Sequence, residues 1–176
     1  MPTYKIIPRE TPADQEALKA RSGRIVEALL GLGTTHVVGV VDNTSRYIFE
    51  LFEAEPGAQV VPVCREGEAW SIGSGLWVGG AVPVVLIQNT GFLESGDALR
   101  GTAIQMGVPL VALIGYRGYR SLSSDSPDTA GSFFEPTLRA WDVPYSFLEE
   151  RNEAENFRLA FGKARRERRP VAVLMT

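Results

Sequence analysis

The chain has 176 residues, 44% hydrophobic and 22% charged, with a formal charge of -3, which describes one soluble domain long enough to bury a real core. That balance gives no support for a nucleic-acid surface, and the basic run from Lys163 to Arg169 is too local to change it. A single cysteine, Cys64, excludes an internal disulfide and fits a reducing cytoplasm, and a single histidine, His36, excludes sites built on several histidines.

In chain order, Thr11 reads as the cap of an amphipathic helix reaching Gly31, with Pro12 in its first turn. His36 to Val41 is a β-branched apolar run, as expected for a strand buried on both faces. Asp42-Asn43-Thr44-Ser45 then forms a polar loop before a helix from Arg46 to Glu53, and Gln59 to Val63 is the second strand. A helix from Glu66 to Val78, a strand from Val82 to Ile87, a loop Gln88-Asn89-Thr90-Gly91 and a helix from Asp97 to Met106 follow. The strand Leu110 to Ile114 leads into the loop Gly115-Tyr116-Arg117-Gly118, and Ser121 to Ser132 reads as irregular. A helix near Glu135 to Ala140, a strand from Tyr145 to Leu148, a helix near Glu153 to Arg168 and a strand from Val171 to Met175 complete the chain. No apolar run approaches membrane-spanning length, and Met1 to Thr11 has no signal-like segment.

Strands alternating with helices at this spacing predict an α/β fold, a three-layer α/β/α domain over residues 1–176 with a six-stranded, mostly parallel sheet. Ligands of such sheets bind outside the carboxyl ends of the strands, where the strand order reverses. The loops at Asp42, Glu66, Gln88 and Gly115 are all polar and all belong to that edge. The sequence lacks G-x-G-x-x-G after the first strand and G-x-x-x-x-G-K-[ST], and Ser74 lies inside a helix rather than on a nucleophile elbow. What remains is the junction Val63-Cys64-Arg65-Glu66-Gly67-Glu68-Ala69-Trp70. A carboxylate at a helix start is common for electrostatic reasons alone. The helix behind it, however, carries Gly73 and Gly75, with Gly79 and Gly80 at its end, and interior glycines each cost roughly 0.5–1 kcal/mol. Their presence predicts close backbone approach, most simply by another helix, with Trp70 and Trp77 filling the neighbouring contact.

Glu66-Gly67-Glu68-Ala69, the glycine-rich helix, Val82 to Gly91 and Leu113-Ile114-Gly115-Tyr116-Arg117-Gly118 resemble the pyrimidine-binding domain of thiamine-diphosphate enzymes. The likeness is to the alpha subunit of sulfopyruvate decarboxylase and the matching domain of phosphonopyruvate decarboxylase. The resemblance implies that Glu66 hydrogen-bonds N1′ of the aminopyrimidine and activates the cofactor toward a 2-oxo acid. To share a proton there, its carboxyl needs an apolar surround that offsets the helix start, and Val61, Val63 and Ala69 supply part of one. The resemblance further places Gln88, Asn89 and Thr90 at the cofactor and Asp42, Asn43 and Arg117 at the substrate, with no metal held by this chain. Family members bind the diphosphate through a metal held by Gly-Asp-Gly and Asn-Asn, and neither is present; Gly96-Asp97-Ala98 lies at the wrong place. The implied assembly is therefore a cytoplasmic hetero-oligomer with a diphosphate-binding beta subunit that holds Mg2+, at least two of each chain.

Three departures bear on the substrate. Val41-Asp42-Asn43-Thr44 stands where these relatives carry Pro-Asp-Ser, Arg117 is kept, and the loop Ser124 to Ala130 lacks the histidine of Asp-Glu-Pro-Gln-His. Protonation after decarboxylation then falls to the partner, to water or to Asp128, or the same ylide chemistry serves an acyloin-forming carboligase. The non-enzymatic alternative is a flavodoxin-like binding module that keeps only the fold. His36, at the start of the first strand, is expected at the far edge of the sheet.

Overall fold

The computed structural model describes residues 11–176. Thr11 caps the first helix, α1 (Pro12–Gly31): its hydroxyl accepts from the Asp14 amide at 3.2 Å while the Asp14 carboxylate accepts from the Thr11 amide at 2.9 Å. That reciprocal pairing satisfies donors that a helix start otherwise leaves open. The elements then run β1 (His36–Gly39), α2 (Arg46–Glu53), β2 (Gln59–Pro62), α3 (Glu66–Val78), β3 (Pro83–Gln88) and α4 (Asn89–Glu94). A short α5 (Gly96–Ala98) continues into a π-helical segment, Leu99–Ile104. The chain continues through β4 (Val111–Gly115), α6 (Thr129–Ala140), β5 (Tyr145–Phe147), α7 (Glu153–Glu167) and β6 (Val171–Met175).

The six strands lie in the order β2-β1-β3-β4-β6-β5, and every neighbouring pair is parallel. The expected sheet was mostly parallel; the observed one is wholly so. Successive strand residues point to opposite faces, and the core divides accordingly. Val84 and Leu86, Val111 and Leu113, and Val171 and Val173 pack with Ile25 and Leu29 of α1, Ile48 and Phe52 of α2, and Phe157 of α7. Val85 and Ile87, Ala112 and Ile114, and Ala172 and Leu174 pack with Trp70 of α3, Phe92 of α4, and Phe134 and Leu138 of α6. Each such fully buried apolar side chain stabilises the fold by roughly 1.5–3 kcal/mol, which is why the central strands carry apolar residues on both faces.

Beyond shifts of one or two residues, such as β1 ending at Gly39 rather than at the exposed Val41, three boundaries differ from the sequence expectation. Gln88 is the last residue of β3, and Asn89 to Glu94 is already helical, where a loop was expected through Gly91. The predicted helix from Asp97 to Met106 is an α-turn followed by a π-helical segment. The helix expected near Glu135 starts at Thr129, because Asp128 caps it by accepting from the Ala130 amide at 2.9 Å, and Pro136 is accommodated inside it.

The glycines of α3 also separate. Gly73 lies against Val85 and Leu110, so its close neighbour is the sheet and not a second helix; Gly79 caps the helix; Gly80, with φ +90°, makes the turn out. Gly75 faces open space and is unexplained by any contact within the described chain. Trp70 is fully buried, and its indole N–H donates to the Ser95 hydroxyl at 2.9 Å, tying α3 to the end of α4.

On the other face, α1 is tied to α7 through Arg24 Nε, which donates to Glu153 Oε1 at 2.9 Å; the Glu153 side chain is 5% exposed. Burial opposes ionisation of Glu153, but its own amide, Arg24 and the Arg151 amide outweigh it and hold the carboxyl below the usual range. A group held low in the folded state adds stability above its unfolded pKa and loses that contribution as pH falls through the folded value. We therefore expect Glu153→Gln to lower unfolding free energy by about 1–3 kcal/mol at pH 7, measured by urea denaturation. Its difference from the wild type should shrink as the pH drops below about 4.

Candidate active site

The strand order reverses between β1 and β3, whose following helices, α2 and α4, pack on opposite faces of the sheet. The crevice beyond their carboxyl ends is where an open parallel sheet receives ligands. Asp42 follows β1 and Gln88 ends β3, so both flank it. A row of hydrogen bonds crosses the crevice. Asp42 Oδ1 accepts from the amides of Thr44 at 2.9 Å and Ser45 at 2.8 Å and from the Thr44 hydroxyl at 2.8 Å. Gln88 Nε2 donates to Asp42 Oδ2 at 3.2 Å, and the Thr90 hydroxyl donates to Gln88 Oε1 at 2.9 Å. An aspartate accepting from the amides that follow it is a loop-forming device, so the Asp42 carboxylate both shapes the β1–α2 loop and fixes Gln88.

The row ends at Thr90, next to Gly91, and Gly91 holds the junction that the sequence singled out. A Cβ at position 91 would fall on Cγ, Cδ and Oε1 of Glu66. The half-buried Glu66 side chain thus occupies the space left by the missing side chain, with α3 and α4 in close approach. The ordinary task of a helix-start carboxylate falls to its neighbour: Glu68 Oε2 accepts from the Cys64 amide at 3.0 Å and the Arg65 amide at 3.1 Å. Arg65 pairs with Glu94, the Nε contact being 3.1 Å, and so braces the same two helices. Among the described residues Glu66 makes no hydrogen bond or ion pair of its own. The arrangement presents one carboxylate, held by packing and with both oxygens available to a ligand.

The other expected site residues take different positions. Asn89, placed at the cofactor by resemblance, is fully buried, and its side chain is committed elsewhere. Its Nδ2 donates to the main-chain oxygens of Arg117 at 2.9 Å and Ala130 at 3.0 Å, and its Oδ1 accepts from the Arg117 amide at 3.0 Å. Those three bonds to main chain commit the Asn89 side chain to holding the β4–α6 loop in place. Arg117 is exposed, its Nε donating to Asp128 Oδ2 at 3.1 Å. Asn43 is exposed on the β1–α2 loop, its main-chain oxygen accepting from Arg46. Asp128, considered as a proton donor, is the α6 cap and the Arg117 partner. His36 begins β1, bonded to the Thr35 hydroxyl at 2.8 Å, at the amino edge and away from Asp42.

Below Arg117 lies a tyrosine–carboxylate cluster. The Tyr116 hydroxyl donates to Glu135 Oε1 at 3.0 Å and the Tyr145 hydroxyl to Oε2 at 2.6 Å. Burial, then the bond to Glu135, pushes the Tyr116 phenol above the ordinary tyrosine range; for Tyr145 the bond to Glu135 comes first. Both hydroxyls therefore remain protonated donors, which fixes the aromatic layer under the loop. Among the described residues, no group of three or more His, Cys, Asp or Glu is placed to hold a metal, and no helix is long and apolar enough to cross a membrane.

Comparison with known proteins gives this geometry a family. Residues 22–142 match the model of the thiamine pyrophosphate enzyme N-terminal TPP binding domain. The chain is 26% identical over 113 residues to a sulfopyruvate decarboxylase subunit alpha of Methanothermobacter thermautotrophicus, covering 64% of this chain and 68% of that one. It is 29% identical over 128 residues to a phosphonopyruvate decarboxylase of Streptomyces viridochromogenes, covering 72% of this chain but 32% of the relative, so it spans about a third of that protein's length. The fold superposes on a thiamine diphosphate-dependent 4-hydroxybenzoylformate decarboxylase of Rhodococcus jostii RHA1 with a TM-score of 0.63 and 21% identity, over 88% of this chain and 29% of that one. The chain belongs to the family of N-terminal TPP binding domains of thiamine pyrophosphate enzymes.

Removing the Asn89 side chain takes one partner from each of the Arg117 and Ala130 main-chain oxygens and from the Arg117 amide, which keeps a 3.2 Å bond to the Gly115 oxygen. Asn89→Ala should cost about 2–4 kcal/mol, read as a lowered urea midpoint, and should speed proteolytic cleavage between residues 117 and 130.

Proposed function

We propose that this chain is the pyrimidine-binding, alpha-type subunit of a two-subunit thiamine-diphosphate-dependent 2-oxo acid decarboxylase, with Glu66 as its catalytic carboxyl. The observation that carries the reading is Glu66 itself, seated over Gly91 with no hydrogen bond or ion pair among the described residues while Glu68 does the capping. The residues present fit an aminopyrimidine: a glycine notch positions a single carboxylate near the crevice that Gln88 flanks. When bound, thiamine diphosphate supplies the nucleophilic carbon and the electron sink for loss of carbon dioxide.

The chain's own contribution is positional and acid–base. Glu66 holds a proton at N1′ of the aminopyrimidine and returns it as charge shifts across the ring, a role worth typically 10²–10⁴-fold. Gly91 keeps that carboxyl at a fixed depth. Gln88 and Thr90 orient the ring's neighbours through the bonded row, and Asp42, Asn43 and Arg117 face the substrate from the adjoining loops. Arg117 is suited to an acid because its guanidinium presents several donors in one plane. The two relatives named for their substrates act on 2-oxo acids that carry a second acidic group.

The diphosphate and its Mg2+ are assigned to a beta subunit, because the Gly-Asp-Gly and Asn-Asn motifs through which family members hold the metal are missing from this sequence. The exposed side of α3, with Ile72, Gly75 and Val78, is the face offered to that subunit or to a second copy. The loop from Tyr119 to Ser132 contains no histidine, and this favours a second reading, acyloin ligation at the same site. Acyloin formation with an added aldehyde, against simple carbon dioxide release, separates the two.

Co-expression with a diphosphate-binding subunit and assay of carbon dioxide release tests the proposal. Glu66→Gln should lower kcat by about 10²–10⁴-fold. Gly91→Ala should lower it by about tenfold or more by pushing Glu66 from its seat. Because both changes act through one carboxyl, the double variant should be no slower than Glu66→Gln alone. Additive losses, or full activity in Glu66→Gln, contradict the assignment.

A further inference from the structure

A small cavity of about 140 Å³ opens beyond the carboxyl ends of β3, β4 and β6, lined by Leu18, Arg21, Thr44, Gln88, Gly115 and Arg117 among others. It is well below the roughly 300–1,000 Å³ of sites that enclose drug-sized ligands, so it suits one chemical group of a ligand. Its wall contains a guanidinium that the fold uses at only one nitrogen among the described residues. Arg21 comes from α1, and its Nη1 donates to the Thr176 main-chain oxygen at 2.8 Å. Among the described residues its buried Nε and its Nη2 have no hydrogen-bond partner, and no Asp or Glu side chain pairs with it. A buried N–H left unpaired is costly, a cost that an acceptor bound in the cavity removes.

The surrounding groups reinforce the demand for an anion. The two nearby carboxylates are already committed. Asp42 accepts from Thr44, Ser45 and Gln88, and Asp128 accepts from Arg117 and caps α6. Gln88 uses one Nε2 hydrogen on Asp42, which leaves the second. Gly115 keeps the floor open, for a Cβ there would press on the Thr44 hydroxyl at 3.2 Å. Leu18 and Met175 make part of the remaining wall apolar, and the Thr176 main-chain oxygen that also lines it is already taken by Arg21 Nη1.

We infer that this cavity is an oxyanion subsite in which Arg21, with Gln88 and Arg117, binds the second acidic group of a dianionic 2-oxo acid. The ligand's identity rests on the decarboxylase reading above; the existence of an anion site does not. Arg21 is a specificity residue here, discriminating a 2-oxo acid with a charged tail from one with a neutral tail. Gln88 joins the subsite to the bonded row that ends beside Gly91, so one residue serves both ends of the crevice.

The test needs no turnover for its first arm. The full chain is titrated with inorganic sulfate and with methylphosphonate at constant ionic strength set by chloride, and the Arg Nε–H resonances are followed by NMR. A saturable shift of the Arg21 resonance is expected with both oxyanions and not with chloride, and affinity should fall about tenfold or more in Arg21→Gln and less in Arg21→Lys. Thr44→Val, which leaves every guanidinium in place, serves as the second variant if Arg21→Gln fails to fold, and should weaken the shift without abolishing it. A linear shift, equal response to chloride, or unchanged affinity in the variants overturns the site. In the assembled enzyme, Arg21→Gln should raise KM for a dianionic 2-oxo acid about tenfold relative to KM for pyruvate. Oxyanion binding by an assembly that turns over neither acid keeps the site and removes its assigned ligand. Turnover without oxyanion binding removes the site and leaves the decarboxylase reading in place.

Discussion

The Glu66 side chain and any side chain at position 91 cannot occupy the same space, and the geometry of the crevice follows from that exclusion. Because Gly91 yields, α4 approaches the start of α3 closely enough for the carboxylate to lie against its backbone. The approach is held from three directions. Trp70 bonds Ser95 beneath it, Arg65 pairs with Glu94 outside it, and Glu68 closes the helix start so that Glu66 is not drawn into capping. A carboxylate fixed by packing, rather than by its own hydrogen bonds, is one whose oxygens remain available to a ligand. Preorganisation of that kind is what acid–base chemistry at a bound ring requires.

The same economy extends along the carboxyl edge of the sheet. Asp42 folds its own loop and fixes Gln88, Gln88 fixes Thr90, and Thr90 precedes Gly91. Asn89, in the middle of that segment, turns the other way and holds the β4–α6 loop through three bonds. The segment from Gln88 to Gly91 therefore positions residues on both sides of itself. A change at any member is transmitted as a displacement of its neighbours rather than as the loss of one contact, so effects there should be strongly non-additive.

Much of this was legible in the sequence for identifiable reasons. The central strands announce themselves because burial on both faces demands unbroken apolar runs such as Val84 to Ile87 and Val171 to Leu174. Thr11 and Pro12 mark the first helix because a helix start has donors to satisfy. The polar loops gather at one edge because parallel strands all end there. The likeness to thiamine-diphosphate enzymes pointed to Glu66, and the family match agrees with that likeness. The start of α6 was hidden because Pro136 reads locally as a helix boundary, whereas the true cap, Asp128, sits in a Ser- and Pro-rich stretch. The roles of Gly91, Asn89 and Arg21 were hidden for a different reason. Each depends on a partner far away in the chain, Glu66, Arg117 and the Thr176 oxygen respectively, and no local pattern carries that information.

The central claim is that Glu66 controls a proton on a cofactor whose diphosphate is held by another chain. The most direct measurement is the exchange rate of the C2 proton of thiamine diphosphate bound to the reconstituted two-subunit assembly, followed by quenched-flow proton NMR in deuterium oxide. The account predicts exchange about 10²-fold or more slower in Glu66→Gln than in the wild type, with cofactor affinity changed only slightly. Equal exchange rates in the two assemblies would contradict it.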